Sequence, residues 1–302
     1  MLKIGVIGLG DIAQKAYLPI LSSRSDVEVH LFSNNAGKLA DLGRQYRFTN
    51  QYANLADFLN SGLDGVMVHA ATEAHYPIVE KLLQQRIPVF VDKPITLDYT
   101  ASKQLVALAE KNNVLLHVGF NRRYAPVYQK LKELAEPTLI IMQKNRQALP
   151  DTIRRFVVED FIHVVDTLRY LFPYPIEDIL VHGKKQGDRL YHLVVQLVNS
   201  QGIAIGIMNR DTGTTEEKVE IMNAREKRIA YNVADLEIIT GKNSTRLGSN
   251  DWEPTLQKRG FYAMVDDFFN FLHTAIPPMI TAPDALRTHE LCERIVEKLT
   301  VL

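Results

Sequence analysis

Over its first 119 residues the chain alternates short β-branched runs with stretches in which apolar residues recur every three or four positions. The runs are Lys3 to Ile7, Val27 to Phe32, Gly65 to His69, Pro88 to Val91 and Val114 to Val118. Between them, Ile12 to Leu21, Ala36 to Arg47, Ala74 to Gln85 and Tyr99 to Asn112 show the one-sided periodicity of helices. Strand and helix in alternation make βαβ units, so an α/β domain with a doubly wound parallel sheet is predicted for residues 1–119.

From Asn121 the pattern changes. A helix is predicted at about Pro126 to Leu134, a strand near Thr138 to Lys144 and a helix at about Val158 to Leu171. The runs Asp178 to Gly183, Leu190 to Val198, Ile203 to Asn209, Lys218 to Asn223 and Lys227 to Asn232 then follow one another as strands, with hairpin-like turns such as Asn199-Ser200-Gln201-Gly202. Helices at Phe261 to Thr274 and Pro283 to Leu299, parted by Pro277-Pro278, close the chain. Residues 120–302 therefore read as an α+β domain on a large, mainly antiparallel open sheet.

Composition narrows the function. A length of 302 residues suits two domains, and 46% apolar with 23% charged residues is an ordinary globular balance. Lys plus Arg equals Asp plus Glu at 35 each, so nothing favours a nucleic-acid partner. No apolar run approaches the roughly 18 residues that span a bilayer, and Lys3 leads at once into a strand rather than a secretory segment. Cys292 is the single cysteine, expected to be a buried inert thiol, and the chain reads as cytoplasmic. No metal-ligand spacing and no Ser/His/Asp arrangement stands out.

Gly8-Leu9-Gly10-Asp11-Ile12-Ala13 follows a strand and opens a helix, the context expected of a dinucleotide-binding turn. Gly8 permits the tight turn, Gly10 lets the backbone approach a pyrophosphate, and Ala13 keeps helix and sheet close, while the helix N-terminus presents free N–H groups to phosphate. The second strand ends in Ser33-Asn34-Asn35, where an NAD site usually carries a carboxylate for the ribose hydroxyls. With no carboxylate there and Lys38 one turn on, NADP is favoured over NAD as the cofactor.

Further motifs are Ala71-Thr72 with His75, Asp92-Lys93-Pro94, the junction Asn121-Arg122-Arg123-Tyr124, and the run from Asp160 to Asp166 that contains His163. Together these resemble the GFO/IDH/MocA oxidoreductases, in their MviM-like branch, over nearly the whole chain. The resemblance implies that Lys93 reaches the substrate hydroxyl beside the nicotinamide, that a cis peptide precedes Pro94, and that Asp92, Ala71, Thr72 and His75 border the cofactor. It also implies a homodimer or homotetramer built through the C-terminal sheet. Its Glu-Lys-Pro signature stands here as Asp92-Lys93-Pro94, and its Asp-x-x-x-His pattern has Glu159 in place of the Asp.

Oxidising an alcohol needs a base that titrates near neutral pH, and His163 is the candidate. Glu159, His163 and Asp166 are spaced to share one helix face, with Asp160 beside them. Asn121 and Arg123 leave the last strand of the first domain; Arg123 would either meet substrate or cofactor or tie the two domains together through a helix C-terminus. A lone histidine such as His75 could equally cap its helix. The leading expectation is an NAD(P)-dependent dehydrogenase or reductase acting on a small polar alcohol or carbonyl, a sugar or cyclitol derivative. The alternatives are a cofactor-binding sensor without turnover and a reductase of imines or conjugated bonds.

Overall fold

The computed structural model of the protein describes residues 1–248 and 250–301. The chain forms two units, Met1–Gly119 with Met264–Leu286, and Phe120–Ala263 with Arg287–Leu302. The first holds six parallel strands: β1 Leu2–Ile7, β2 Val27–Phe32, β3 Asn50–Tyr52, β4 Gly65–Val68, β5 Val89–Asp92 and β6 Leu116–Gly119. Their order is β3-β2-β1-β4-β5-β6, the doubly wound arrangement predicted. Central strands are buried on both faces, as crossover helices require: Val66, Met67 and Val68 of β4 and Val89, Phe90 and Val91 of β5 are all fully inaccessible.

Two short elements escaped the periodicity. Strand β3 and the helix Leu55–Leu59 are too short for a repeat to show, and β3 carries the polar Asn50 and Gln51 at the sheet edge. A local cap marks the helix: Asn54 Oδ1 accepts from the N–H groups of Ala56 (2.7 Å) and Asp57 (3.2 Å). A larger departure concerns Met264–Leu286, read from sequence as part of the second domain but packed in the first unit. Phe268 lies edge-on to Phe90 at 5.7 Å and to His117 at 6.1 Å, and Asp266 pairs with Arg24. The apolar face of the helix Phe261–Thr274 is evident in sequence, but no local pattern states which sheet receives it.

The second unit carries β7 Leu139–Asn145, β8 Asp151–Thr152, β9 Asp178–Gln186, β10 Arg189–Asn199, β11 Gly202–Asn209, β12 Glu216–Met222, β13 Lys227–Tyr231, β14 Asp235–Thr240 and β15 Asn243–Leu247. They form one sheet in the order β15-β14-β13-β12-β7-β11-β10-β8, with β9 on β10. Pairing is antiparallel except between β7 and β11. The edge hairpin β14–β15 was not anticipated, because β15 is exposed throughout and shows no apolar alternation. Alternate residues of the central strands face inward, among them Ile140, Met142, Leu193, Val195, Ala204 and Met208. Gly206 lets the helix Ile162–Leu171 close on that face: a Cβ there would lie 2.8 Å from Val164 Cγ1.

That helix is not the single regular element predicted at Val158 to Leu171. A short turn Ile153–Arg155 leads into a π-helical stretch, Phe156–Phe161, before α-geometry begins at Ile162. The wider π-turn rotates Glu159 and Asp160 away from where an unbroken α-helix would hold them relative to His163 and Asp166. Among the described residues no helix is long and apolar enough to cross a membrane, and no cluster of His, Cys, Asp or Glu could hold a metal ion.

Candidate active site

The parallel strands of the first unit end along one edge, and the Gly8–Ala13 loop leaves β1 there. Gly8 has φ +91°, and a Cβ on it would fall 2.2 Å from the backbone nitrogen of Ala70, so only glycine fits. Gly10 is different: a Cβ there would meet nothing within 4 Å. The loop backbone therefore borders open space, the room that a pyrophosphate needs. Gln14 Nε2 closes the loop on Leu9 O at 2.9 Å. Gln14 N–H to Gly10 O is the first helical hydrogen bond, so the N–H groups of Asp11, Ile12 and Ala13 stand at the helix N-terminus ahead of it. Ala13 is fully buried, whereas Asp11 is exposed and pairs with Lys15 at 2.9 Å.

Beside the loop, Ile7, Phe32, Leu55, Pro77 and Ile78 line an apolar pocket of about 250 Å³, whose lining suits a flat aromatic ring such as adenine. At the end of β2, Ser33 Oγ accepts from Asn35 N–H (3.1 Å), and Asn35 Oδ1 caps the next helix by accepting from Lys38 N–H (2.9 Å). Asn35 is thus a capping residue, while the side chains of Asn34 and Lys38 stay exposed. Glycine geometry, apolar pocket and helix N-terminus together fit a dinucleotide.

Strand β5 delivers Asp92, Lys93 and Pro94 to the same sheet edge, and the Lys93–Pro94 peptide is cis. Asp92 Oδ1 accepts from the buried Tyr17 hydroxyl at 2.9 Å. Burial raises the Asp92 carboxyl, against the lowering influence of Lys93. Tyr17 also stacks on His69 at 3.8 Å, and burial lowers that imidazole to about 3, so His69 is a neutral ring in the core. His75 lies deeper than expected. It is 1% exposed, with Nδ1 2.9 Å from Pro94 O and Nε2 3.0 Å from Ala70 O. It does not cap its helix; it braces the loop before Ala71 and Thr72 against the one that follows Lys93.

In the second unit His163 is half-buried on the helix Ile162–Leu171, and Glu159 is also half-buried, with Oε1 3.5 Å from Arg155 Nη1. Asp166 does not share an open polar face with them. It is 1% exposed and held bidentately by Arg123, at 2.9 Å from Nε and 2.6 Å from Nη2, with Thr288 Oγ1 donating at 2.9 Å. Arg123 is thereby engaged within the second unit, on the helix Ile162–Leu171, rather than at a helix C-terminus. Asn121 likewise turns inward, donating from Nδ2 to Arg259 O at 2.8 Å. Its neighbour Arg122, not a candidate from sequence, forms a buried fork on Glu217 at 2.7 and 2.6 Å.

Asp160 stands three residues before His163 and is ringed by cations: Lys144 pairs with Oδ1, Arg146 lies 3.4 Å away and Arg210 3.9 Å away. Lys144 and Arg146, at the end of β7, and Arg210, after β11, were missed because both stretches lie apart in the chain from the Asp160 helix. One signal was available. Ile140, Met142 and Lys144 share the buried face of β7 by the two-residue period, and a lysine on an apolar face requires a buried partner.

Residues 2–120 match the family model described as "Oxidoreductase family, NAD-binding Rossmann fold", and residues 126–243 match the YceM-like C-terminal domain. The YceM protein of Salmonella typhimurium is 30% identical, over 99% of this chain and 97% of that protein. The myo-inositol 2-dehydrogenase of Thermotoga maritima is 22% identical, over 94% and 92%. Among solved structures, a Gfo/Idh/MocA family oxidoreductase from Vibrio cholerae superimposes with a TM-score of 0.93 at 34% identity, over 99% and 98% of the two chains. The dehydrogenase MviM from Clostridium difficile gives 0.92 at 30%, over 98% and 99%.

Proposed function

Since the chain belongs to the GFO/IDH/MocA oxidoreductase family, we propose that it is an NAD(P)-dependent dehydrogenase or reductase acting on a secondary hydroxyl or carbonyl of a sugar or cyclitol. The observation that carries this reading is the shared edge of the first unit, where Lys93 leaves β5 on the same side of the parallel sheet as the Gly8–Gly10 loop. The cofactor, when bound, supplies the hydride acceptor or donor. Lys93 donates to the reacting oxygen and stabilises negative charge there. His163 takes the hydroxyl proton as the C–H bond gives up its hydride, leaving a carbonyl, and returns the proton in the reverse direction. Glu159, four residues before His163 but across the π-turn, would act on the imidazole through its charge rather than through regular helical register. The inositol dehydrogenase among the relatives supports a polyol as the substrate class.

Asn34 and Lys38 at the ribose end favour NADP over NAD, since no carboxylate repels a 2′-phosphate. Fluorescence titration of both reduced cofactors, followed by a panel of polyols and sugars, tests the whole reading. Lys93→Met and His163→Ala should each lower turnover by roughly 10² to 10⁴ while cofactor affinity changes by no more than a few-fold. Tight cofactor binding with no turnover of any alcohol or carbonyl would favour the sensor instead.

The protein assembles as a homodimer or homotetramer through the outer face of its large sheet. That face carries Leu139 and Ile141 of β7 alongside Ile203, Ile205 and Ile207 of β11, an apolar surface that a second copy would cover.

A further inference from the structure

We propose that the carboxyl ends of β7 and β11 form an anion-binding subsite, built by Lys144, Arg146 and Arg210 around Asp160, and that the substrate carries a carboxylate or phosphate group. The parallel pairing of β7 and β11 brings these ends side by side, so Lys144, Arg146 and Arg210 converge although 66 residues separate the first from the last. Glu217 is taken by the Arg122 fork and the Tyr128 hydroxyl at 2.6 Å. That leaves three cations facing Asp160 and Asp151, and Asp151 lies 3.8 Å from Arg210 Nη1 while also accepting from Thr152 N–H.

A buried charge is stable only when it is paired and hydrogen-bonded. Asp160 is well satisfied, and the surrounding cations hold its carboxyl below the usual range despite burial. Arg210 is not. Arg210 is 8% exposed and its Nε has no hydrogen-bond acceptor among the described residues; the nearest carboxylate oxygens, at 3.8 and 3.9 Å, lie beyond hydrogen-bond reach. The guanidinium carbon lies 5.2 Å from the centre of the Phe156 ring, a cation–π contact that helps to hold the side chain in place. Arg146 is more exposed and reaches Asp160 only at 3.4 Å, leaving donors available at the rim. An excess positive charge with an unsatisfied guanidinium N–H matches the planar, fork-like recognition of carboxylate or phosphate.

The setting of Lys144 points the same way. Burial lowers its ammonium to about 7, helped by the charges of Arg122 and Arg146 and opposed by Asp160 and Glu217. An anion placed among these groups favours the charged form, so binding should be accompanied by proton uptake near pH 7 and should weaken as pH rises beyond it. Asp160 precedes His163 by three residues on one helical run, so an anion held here would orient a substrate whose hydroxyl meets the proposed base. That last step alone rests on the oxidoreductase reading.

The test is calorimetric binding of D-gluconate, D-glucose 6-phosphate and D-glucose to the full-length protein, in buffers of differing ionisation enthalpy. One of the anions should bind at least roughly tenfold more tightly than glucose, with proton uptake near neutral pH. Whichever anion binds better identifies the group recognised. Arg210→Gln should remove the preference, and Arg146→Gln, at a half-exposed position that tolerates change, should weaken it without loss of folding. Equal or tighter binding of glucose, no anion binding at millimolar concentration, or a preference that survives both substitutions overturns the subsite. Arginine-dependent anion binding with no hydride transfer would instead sink the catalytic reading and leave the subsite standing.

Discussion

At the scale of single residues, the two glycines of the first loop separate folding from binding. Gly8 combines φ +91° with backbone 2.2 Å from any Cβ, so Gly8→Ala should cost at least about 2 kcal/mol and lower the melting temperature, even with no ligand present. Gly10 opens on free space, so Gly10→Val should melt near the parent temperature yet lose binding of both nicotinamide dinucleotides, because the new side chain fills the pyrophosphate's approach. Calorimetric melting and cofactor fluorescence on both variants check the pair. Retained affinity in Gly10→Val would remove this loop from the cofactor site. Both glycines could be singled out from sequence because their motif is contiguous, whereas the inward turn of His75 depends on carbonyls contributed by Ala70 and Pro94.

At the scale of elements, the junction after β6 is pinned to β12 by the buried Arg122–Glu217 fork. Burial pushes the Glu217 carboxyl up, but the Arg122 guanidinium beside it outweighs that and holds it down to about 2, against an ordinary value of 4.5. A depressed carboxyl stabilises the fold above its unfolded value and loses that contribution as it protonates. Stability should therefore fall as pH drops from about 5 toward 2. Glu217→Gln should cost about 3–5 kcal/mol at pH 7, since Arg122 is left buried without its counter-charge. The gap between variant and parent should narrow in acid, measured by denaturant unfolding across that range. A constant gap would mean that the ion pair carries little of the stability.

At the scale of the whole molecule, the outer face of the large sheet is the surface on which the proposed oligomer depends. Ile203 pairs with Leu139 and Ile205 with Ile141 across β11 and β7, and Val194 and Val198 continue the surface on β10. Light scattering at micromolar concentration should report a dimer or tetramer, and Ile205→Arg should shift it toward monomer with the fold retained. A parent protein that is already monomeric would contradict the assignment. The same sheet explains why alternation was readable in β7, β10, β11 and β12 but not in β15, which is exposed along its whole length and sits at the edge.

The sequence by itself determined what is local: the period of each strand and helix, the glycine turn between β1 and its helix, and the change of pattern near residue 120. These follow from side-chain direction along a few turns of backbone, which neighbouring residues specify without help from the rest of the chain. Only the tertiary structure decided which surfaces and charges meet. Helix Phe261–Thr274 could have packed its apolar face on either sheet. Asp166 was expected to share an open face with Glu159 and His163, but it found Arg123, 43 residues away, and the π-turn at Phe156–Phe161 displaced Glu159 and Asp160 from the regular register. Burial turns a charge from a solvated group into one that must find its partner, and that partner is set by the path of a distant strand rather than by spacing along the chain.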